Sequence, residues 1–456
     1  MRVTLDIPLS LKEIAMAIKS KTPVVKNEYV SAVCTDTREA KENDLFIALA
    51  GEGGSGENYV GDALLKSCHV ISSKDKAGVI CVQDTSSALL DLAKYYKSKL
   101  KLKYTVAVSG SVGKSTTVRF LTKILCQKYK VHAPIGNFNN HIGVPLTVLA
   151  APRDTEVIVC EFGMNHRGEI ARLSECINPD IGIITAVGSA HLGNLGSRAE
   201  IAKAKLEILC GMNGGTLFLP ENEPLLSGVK NALYVGYNTS LSNIRLNVEN
   251  GRYEFYFGAT AIKELNFFNA QEHFAIDLSY ALGVSLSLGL SEREIRKGIE
   301  SINGADLRQR FIKLKDFVIF DDSYNASLES IVADFKYLSS MNKPTGAFLG
   351  DVLELGKEAH AIHEMIGERA AEFNIGTLYL FGKYAPDIKR GAQRRGMDQE
   401  RIHLNTDLSS PDVSVEQILT HHTYGEIILF KASHKLRLDK IADTIKQKEG
   451  INDARE

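Results

Sequence analysis

Residues 105–129 read TVAVSGSVGKSTTVRFLTKILCQKY, and this stretch decides the fold. An apolar run ends in a glycine-rich turn, which leads into a segment with apolar residues at helical spacing. Glycines let backbone N–H groups approach phosphate oxygens, and the first turn of the helix presents its positive end at the same place. The pattern therefore predicts a phosphate-binding loop between a parallel strand and a helix.

The predicted loop consists of Gly110, Ser111, Val112, Gly113, Lys114, Ser115 and Thr116. Lys114 would neutralise the β- and γ-phosphates of a nucleotide, and Ser115 would ligate Mg²⁺. The strict phosphate-loop motif has an earlier glycine, at the position of Val108 here, so the loop is a variant. The alternative is an ordinary glycine-rich turn. The GKST sequence favours phosphate binding because it follows an apolar strand and opens a helix.

Strand-like and helical segments alternate along most of the chain. This pattern predicts an α/β protein with largely parallel sheets and helices on both faces. The 456 residues are enough for about three domains. We expect a small mixed α/β domain over residues 1–102, a central phosphate-loop domain with a mostly parallel sheet over residues 103–304, and a doubly wound α/β domain over residues 305–456.

Composition and charge exclude several classes of protein. The 54 basic and 55 acidic side chains give a net charge of -1, so nucleic acid or an anionic membrane is not the expected main partner. No apolar stretch approaches the ~20 residues that span a bilayer, and the N-terminus lacks the layout of a secretory signal. The seven widely spaced cysteines, without a CxxC pair, indicate reduced thiols. We expect a cytoplasmic monomer.

Two residues outside the loop are expected at the carboxyl ends of parallel strands, where ligands bind in open α/β sheets. Glu161 ends the apolar run EVIVCE, and a carboxylate there can hold Mg²⁺ beside the phosphate loop. His191 follows the run IGIITAVG. A lone histidine is usually structural, but its position after a strand near a phosphate loop makes His191 a candidate ligand.

Other polar residues also stand out from their surroundings. Lys205 lies in the helical segment IAKAKLEIL, where Lys203 should point in another direction. A solvated helix lysine is the ordinary interpretation of either residue. Asp322 and Asn325 come just after the apolar run FVIF, and acidic residues directly after a buried strand favour a functional site.

A cluster of amides occupies the segment IGNFNNHIGVP, and its members are Asn137, Asn139 and Asn140. Asparagines hydrogen-bond to nearby backbone groups and are common in turns for that reason. The segment is therefore either an asparagine-rich turn or a binding surface, and the amides alone do not decide between these two interpretations.

Several motifs follow one another in an order that resembles the Mur ligases of bacterial peptidoglycan synthesis. In chain order they are GSVGKSTT, GNFNNHIGVPLTVL, EFGMNHRGEI, NPDIGIITAVGSAHLGNLGS, AKAKLEI, DDSYNAS, LGDVLELG and LFKAS. The resemblance extends from TDTRE at residues 35–39 to the neighbourhood of Asp439. Each motif alone is moderately specific, whereas their shared order is highly specific.

The resemblance implies an N-terminal domain for a UDP-sugar, a central ATPase domain and a Rossmann-like C-terminal domain. It also implies that ATP phosphorylates a carboxylate and that an amine then displaces the phosphate to form an amide. The motifs GNFNNHIGVP and DDSYNAS are similar to the branch that joins D-alanyl-D-alanine to UDP-N-acetylmuramoyl-tripeptide. Phosphorylation supplies the leaving group that a carboxylate lacks, and Mg²⁺ with Lys114 would screen the repulsion between the two anions.

The resemblance assigns roles to single residues around the nucleotide. It implies that Ser115, Glu161 and His191 bind metal, and that Lys205 carries a carbamate that orients a second Mg²⁺. The expected catalytic residues are Lys114, His191, Lys205 and Asn325. Asp322 and Asn325 match third-domain residues that close over ATP, and Arg308 matches a basic residue at the hinge, for which Arg310 is a substitute.

The resemblance also implies where the second substrate lies. Thr37 and Arg38, within TDTRE, would contact the UDP-sugar, and the three asparagines of the 137–140 segment would line the path of the sugar-peptide. The family's adenine-reading asparagine is absent, since Phe274 stands at its place. The turn Ser55-Gly56-Glu57-Asn58 also departs from the usual N-terminal pattern.

Two alternative functions stay open at this point. The first is a sibling Mur ligase or a polyglutamate-type ligase that joins a different amine to a carboxylate. The second is a non-enzymatic, ATP-dependent switch or scaffold. The second is disfavoured because such proteins tolerate the loss of catalytic side chains, whereas Lys114, Glu161, His191 and Lys205 are all present.

Overall fold

The computed structural model describes residues 1–24, 28–51, 54–239, 242, 244–249, 252–267, 271–307 and 309–449. Along these ranges, three large sheets follow one another, each with its own helices. This arrangement confirms the predicted α/β class and three-domain organisation, while the boundaries after residues 102 and 304 stay predictions. In the described ranges, no helix is long and apolar enough to cross a membrane. All seven cysteines are free thiols.

The N-terminal domain is a mixed sheet with helices. Its elements are β1 (Arg2–Ser10), α1 (Leu11–Ala17), β2 (Tyr29–Cys34), β3 (Leu45–Ile47), β4 (Ala50–Gly51), β5 (Gly54–Ser55), α2 (Val60–Leu65), β6 (His69–Ser72), β7 (Val79–Cys81) and α3 (Thr85–Lys99). The main sheet has the order β1-β2-β3-β6-β7. β1 is antiparallel to β2 and the other pairs are parallel.

The central domain surrounds the largest sheet. Its strands are β8 (Tyr104–Ser109), β9 (Val131–His132), β10 (Val157–Glu161), β11 (Ile181–Ile184), β12 (Thr216–Pro220), β13 (Ala232–Tyr237), β14 (Ile244–Glu249), β15 (Arg252–Phe257) and β16 (Thr260–Leu265). Its helices are α4 (Lys114–Leu125), α5 (Gly143–Leu149), α6 (Glu169–Ile177), α7 (Leu192–Leu195), α8 (Arg198–Leu206), α9 (Glu272–Ser287) and α10 (Glu292–Glu300).

The order of this sheet is β16-β15-β14-β13-β12-β11-β8-β10-β9. Neighbouring strands pair in parallel along the part of the sheet that runs β9-β10-β8-β11-β12-β13-β14, as the alternation of strands and helices predicts. β14, β15 and β16 instead form an antiparallel extension, which that alternation does not predict. Two helices, α9 and α10, follow this extension and complete the domain.

The C-terminal domain is a second doubly wound unit. Its elements are β17 (Arg310–Lys313), β18 (Val318–Asp321), α11 (Leu328–Ser339), β19 (Thr345–Gly350), α12 (Ala359–Glu372), β20 (Thr377–Phe381), α13 (Ala385–Arg394), β21 (Ile402–Asn405), α14 (Pro411–His421), β22 (Ile427–Lys431) and α15 (Leu438–Lys448). The sheet order is β17-β18-β22-β19-β20-β21. Only β17 among these strands is antiparallel to its neighbour.

The N-terminal and central domains share one continuous apolar core. Leu89 and Leu92 of α3 are fully buried in it together with Leu146 and Val148 of α5. The buried Tyr96 hydroxyl donates a hydrogen bond to the carbonyl oxygen of Ala151 at 3.1 Å. Burial of apolar area on this scale is the main favourable contribution to docking one domain on another. The contact fixes the N-terminal domain against the α5 side of the central sheet.

Candidate active site

The phosphate loop occupies the turn between β8 and α4. Gly113 has φ +83° and Gly110 has φ +148°, both in the region that favours glycine. A Cβ atom on Gly110 would lie 1.9 Å from the Thr185 hydroxyl oxygen, just after β11, so a side chain there would clash. The turn therefore needs both glycines, and it leaves the N-terminus of α4 open toward an anion.

Lys114 folds back over this loop. Its ammonium donates hydrogen bonds to the carbonyl oxygen of Gly110 at 2.8 Å and, more weakly, to that of Ser111 at 3.5 Å. The Ser111 hydroxyl accepts a hydrogen bond from the backbone N–H of Gly188 at 2.8 Å. The lysine is thereby held at the position where the phosphates of a nucleotide would meet the backbone N–H groups of the loop.

Glu161 is the last residue of β10, and its carboxylate is 3% exposed. The Ser115 hydroxyl donates a hydrogen bond to one carboxylate oxygen at 2.6 Å, and the Asn139 amide donates to the other at 2.9 Å. Mg²⁺ binds hard oxygen ligands and commonly takes one or two carboxylates together with phosphate oxygens and water. The converging oxygens of Ser115 and Glu161 fit such an ion.

A cleft of about 350 Å³ opens between the central and C-terminal domains. It is lined by most of the residues predicted around the nucleotide: Ser111, Val112, Gly113, Lys114, Ser115, Thr116, Asn139, Glu161, Asp322 and Asn325. These residues come from four separate segments of the chain, and the fold brings them to one place. Gly110 is part of the same loop but does not line the cleft.

The C-terminal side of the cleft contains a buried lysine between two carboxylates. Lys431, at the end of β22, forms ion pairs with Asp322 and with Asp334, the latter at 2.9 Å. Burial raises the pKa of Asp334, and the nearby Lys431 opposes that rise. Burial lowers the pKa of Lys431, but the two carboxylates outweigh burial and raise it. The two carboxylates therefore favour the charged form of Lys431 in this wall.

A chain of amides links this cluster to the central domain. The Gln271 amide donates to the side-chain oxygen of Gln309 at 2.9 Å, and the Gln309 amide donates to Asp334 at 3.2 Å. Phe274 lines the cleft and is 3% exposed. The base of a nucleotide would meet an aromatic side chain and these glutamines here.

Two contacts join the C-terminal domain to the loop that follows β11. Glu329, in the first turn of α11, accepts hydrogen bonds from the backbone N–H of Ser189 at 2.8 Å and from its hydroxyl at 3.1 Å. The Nδ1 atom of His191 lies 2.7 Å from a carboxylate oxygen of Glu354, and this hydrogen bond lowers the pKa of Glu354. His191 thus lies at the domain interface rather than in the lining of the cleft.

Lys205 is buried in α8 with 2% of its side chain exposed, whereas Lys203 is exposed and forms an ion pair with Glu200. The sequence interpretation of a solvated lysine therefore applies to Lys203 and not to Lys205. Burial lowers the pKa of Lys205 well below its usual value, and the positive charge of Lys114 lowers it further. Both effects favour the uncharged amine over the ammonium form.

The three asparagines of the 137–140 segment differ in their surroundings. Asn139 contacts Glu161, whereas the Asn140 side chain accepts hydrogen bonds from the backbone N–H groups of Ile142 and Gly143 at the start of α5. Asn137 is exposed. Asn140 therefore acts as a turn residue that bonds to the backbone, while Asn139 faces the predicted metal site.

The N-terminal candidates do not line the cleft. The backbone carbonyl of Thr37 accepts a hydrogen bond from Lys66, and exposed Arg38 forms a bidentate ion pair with Asp36. Arg308 lies outside the described residues. Its proposed substitute, Arg310, forms an ion pair with Asp321 at 2.6 Å.

Sequence reasoning did not single out Asp277, Gln309, Glu329 or Asp334, which also line the cleft. Lys431 carried a detectable signal, because it is a charged residue that directly ends a buried strand. The other four lie on helices or in a connection, where a single polar residue has no distinctive pattern. Their positions depend on contacts with segments that are distant in the sequence.

A phosphate loop, a buried carboxylate beside it and a second domain across the cleft are typical of an enzyme that binds and uses a nucleotide. The family model for the Mur ligase middle domain matches residues 108–273. The UDP-N-acetylmuramoyl-tripeptide–D-alanyl-D-alanine ligase of Bacillus subtilis (strain 168) is 33% identical over 95% of this chain and 97% of its own length. The Escherichia coli (strain K12) protein of that name is 27% identical over 92% and 94%.

The solved structures agree with these relatives. The crystal structure of MurF from Acinetobacter baumannii has a TM-score of 0.86 and 25% identity, covering 98% of this chain and 100% of that one. The chain therefore belongs to the Mur ligase family, and the resemblance seen in the sequence motifs is confirmed. The similarity covers nearly the whole length, so it includes all three domains.

The contact between Glu329 and Ser189 predicts a measurable effect on domain closure. Glu329→Ala removes two hydrogen bonds across the interface, so the C-terminal domain should open more readily. We expect a larger radius of gyration in small-angle X-ray scattering and a several-fold higher KM for ATP. Glu416→Ala, which removes an exposed carboxylate on α14, is the matched control. Equal scattering curves for the two variants would contradict the prediction.

Proposed function

We propose that this chain is an ATP-dependent ligase that joins D-alanyl-D-alanine to UDP-N-acetylmuramoyl-tripeptide in peptidoglycan precursor synthesis. The observation that carries the proposal is the interdomain cleft in which the phosphate loop and the buried Glu161 face the C-terminal domain. The near full-length similarity to ligases of that name supports the choice of substrates.

The proposed reaction has two stages. The tripeptide's terminal carboxylate attacks the γ-phosphorus of ATP, and the bond to ADP breaks to give an acyl phosphate. The amine of the dipeptide then attacks the acyl carbon, loses a proton and expels inorganic phosphate. The first stage brings two anions together, so the catalyst must neutralise charge and hold both groups in place.

The residues of the cleft supply these functions. Lys114 and the loop N–H groups would bind the β- and γ-phosphates, and Ser115 with Glu161 would hold Mg²⁺, which screens negative charge on the phosphates. Asp322 and Asn325 of the C-terminal domain would close over the nucleotide. The contacts of Glu329 and Glu354 with the central domain would keep water away from the acyl phosphate.

We further propose that Lys205 carries a carbamate and helps to hold a second Mg²⁺, with His191 as a neighbouring ligand. A carbamate forms when an uncharged amine attacks carbon dioxide and releases a proton, and the burial of Lys205 lowers its pKa and so favours the uncharged amine. Asn139, Asn137 and Asn140 would lie along the path of the sugar-peptide, and Thr37 and Arg38 would contact the UDP group. We also propose that the enzyme acts as a cytoplasmic monomer.

The substrate assignment predicts which compounds release ADP. We expect ADP release only when a UDP-muramoyl tripeptide and D-alanyl-D-alanine are both present, as measured by a coupled assay across a panel of UDP-muramoyl peptides and amines. Strong activity with a free amino acid in place of the dipeptide would favour a sibling Mur or polyglutamate-type acceptor and overturn the assignment.

The phosphate-loop assignment predicts the effect of Lys114→Ala. Loss of the cation should abolish ADP release while leaving the circular dichroism spectrum and the melting temperature close to those of the parent. Lys123→Ala, near the other end of α4, is the control and should keep its activity. Near-normal turnover by Lys114→Ala would remove the assignment.

The carbamate on Lys205 predicts a dependence on bicarbonate. A crystal grown with bicarbonate should show density for the carbamate, and Lys205→Ala should lose activity. If the carbamate only supplies a carboxylate, short carboxylic acids added in solution should restore part of the activity of this variant. An unmodified amine in the crystal, without such rescue, would contradict the proposal.

A further inference from the structure

Asp277 is a carboxylic acid packed against the phosphate loop, and nothing in the proposed reaction uses it. It lies on α9, is 5% exposed and lines the interdomain cleft. Its Oδ1 atom accepts a hydrogen bond from the hydroxyl of Thr117 at 3.2 Å. Thr117 is in the first turn of α4, so the acid reaches the helix that the phosphate loop opens.

Asp277 also touches the turn itself. A Cβ atom on Gly113 would lie 2.3 Å from Oδ1 and 3.1 Å from Cγ of Asp277. The carboxyl group therefore fills the space that a side chain at residue 113 would occupy. The turn is constrained twice, by the positive φ of Gly113 and by this side chain pressing on it from α9.

Among the described residues, no basic side chain forms an ion pair with Asp277. The ammonium of Lys114 bonds to loop carbonyls, and the hydroxyl of Tyr280, one turn further along α9, donates to the Thr185 carbonyl at 3.3 Å. Burial raises the pKa of Asp277 well above its usual value, opposed by the Thr117 hydrogen bond. A buried carboxyl without a cation is expected to be protonated.

We propose that Asp277 is a positioning residue that holds the Gly113 turn in shape while itself uncharged, so that the loop can accept a triphosphate. An ionised group at this place would repel the phosphates, whereas a neutral acid can accept the Thr117 hydrogen bond and fill the space beside Gly113. The inference rests on the proposed binding of ATP in this cleft. It adds a residue that keeps the phosphate loop in the shape that binds ATP.

The test measures the affinity of the full-length protein for ATP with Mg²⁺ by calorimetry, from neutral to alkaline pH. Asp277→Ala removes the packing and the hydrogen bond, and a lost hydrogen bond corresponds to about a fivefold to tenfold weaker affinity. Asp277→Asn keeps the shape and cannot ionise, so it should recover most of that loss. Ser285→Ala, another buried polar residue of α9, should bind ATP as the parent does.

The pH profile separates this role from a merely structural one. The parent should bind ATP more weakly as the pH rises through the raised pKa of Asp277, and Asp277→Asn should lose that part of the decline. The two proteins differ only at residue 277, so the difference between the two profiles reports on that residue. If Asp277→Ala does not fold, this comparison still decides the question.

Two results would overturn the inference. One is parent-like ATP affinity in a folded Asp277→Ala protein, and the other is an identical alkaline decline in the parent and Asp277→Asn. Failure of the parent to bind ATP would instead overturn the proposed function. The two failures are therefore distinguishable within one set of titrations.

Discussion

The site depends on one buried carboxylate. Glu161 is held by hydrogen bonds from Ser115 and Asn139, and these three residues come from β10, α4 and the segment before α5. β8 and β10 are adjacent and parallel, with Glu161 in register with Val108. Their carboxyl ends must therefore meet at one edge of the sheet, which puts an acidic oxygen beside the phosphate loop. A buried carboxylate is tolerated only where donors or cations satisfy it.

The other half of the site comes from packing between domains. The Lys431 cluster, the Gln271–Gln309 contact and the hydrogen bonds of Glu329 close the cleft from the C-terminal side. The Gln271–Gln309 contact and the hydrogen bonds of Glu329 join the central and C-terminal domains, so this part of the site exists only when those domains approach. The Lys431 cluster lies within the C-terminal domain and forms its wall of the cleft. This division suits a reaction whose acyl phosphate must be shielded from water but whose substrates and products must enter and leave.

The sequence predicts the parts of this site that are local. The phosphate loop is visible as strand, glycine turn and helix, and Glu161 is visible as an acid at a strand end. Residue pattern alone does not separate Lys205 from Lys203, because both are lysines of one helix; the family resemblance selects Lys205, and the burial of Lys205 distinguishes it in the structure. The position of Asp277 and the antiparallel pairing of β14 to β16 could not be predicted from the sequence pattern. Both depend on contacts with other segments of the chain, and helical or strand periodicity carries no information about such contacts.

The central claim is that the terminal phosphoryl group of ATP moves onto the donor carboxylate before the amide bond forms. The most direct measurement uses UDP-muramoyl tripeptide with a heavy oxygen isotope in its terminal carboxylate, followed by mass spectrometry of the released inorganic phosphate. The account predicts transfer of a labelled oxygen to phosphate with each amide bond formed. Amide formation with unlabelled phosphate would contradict it, because the carboxylate oxygen would then have left by another route.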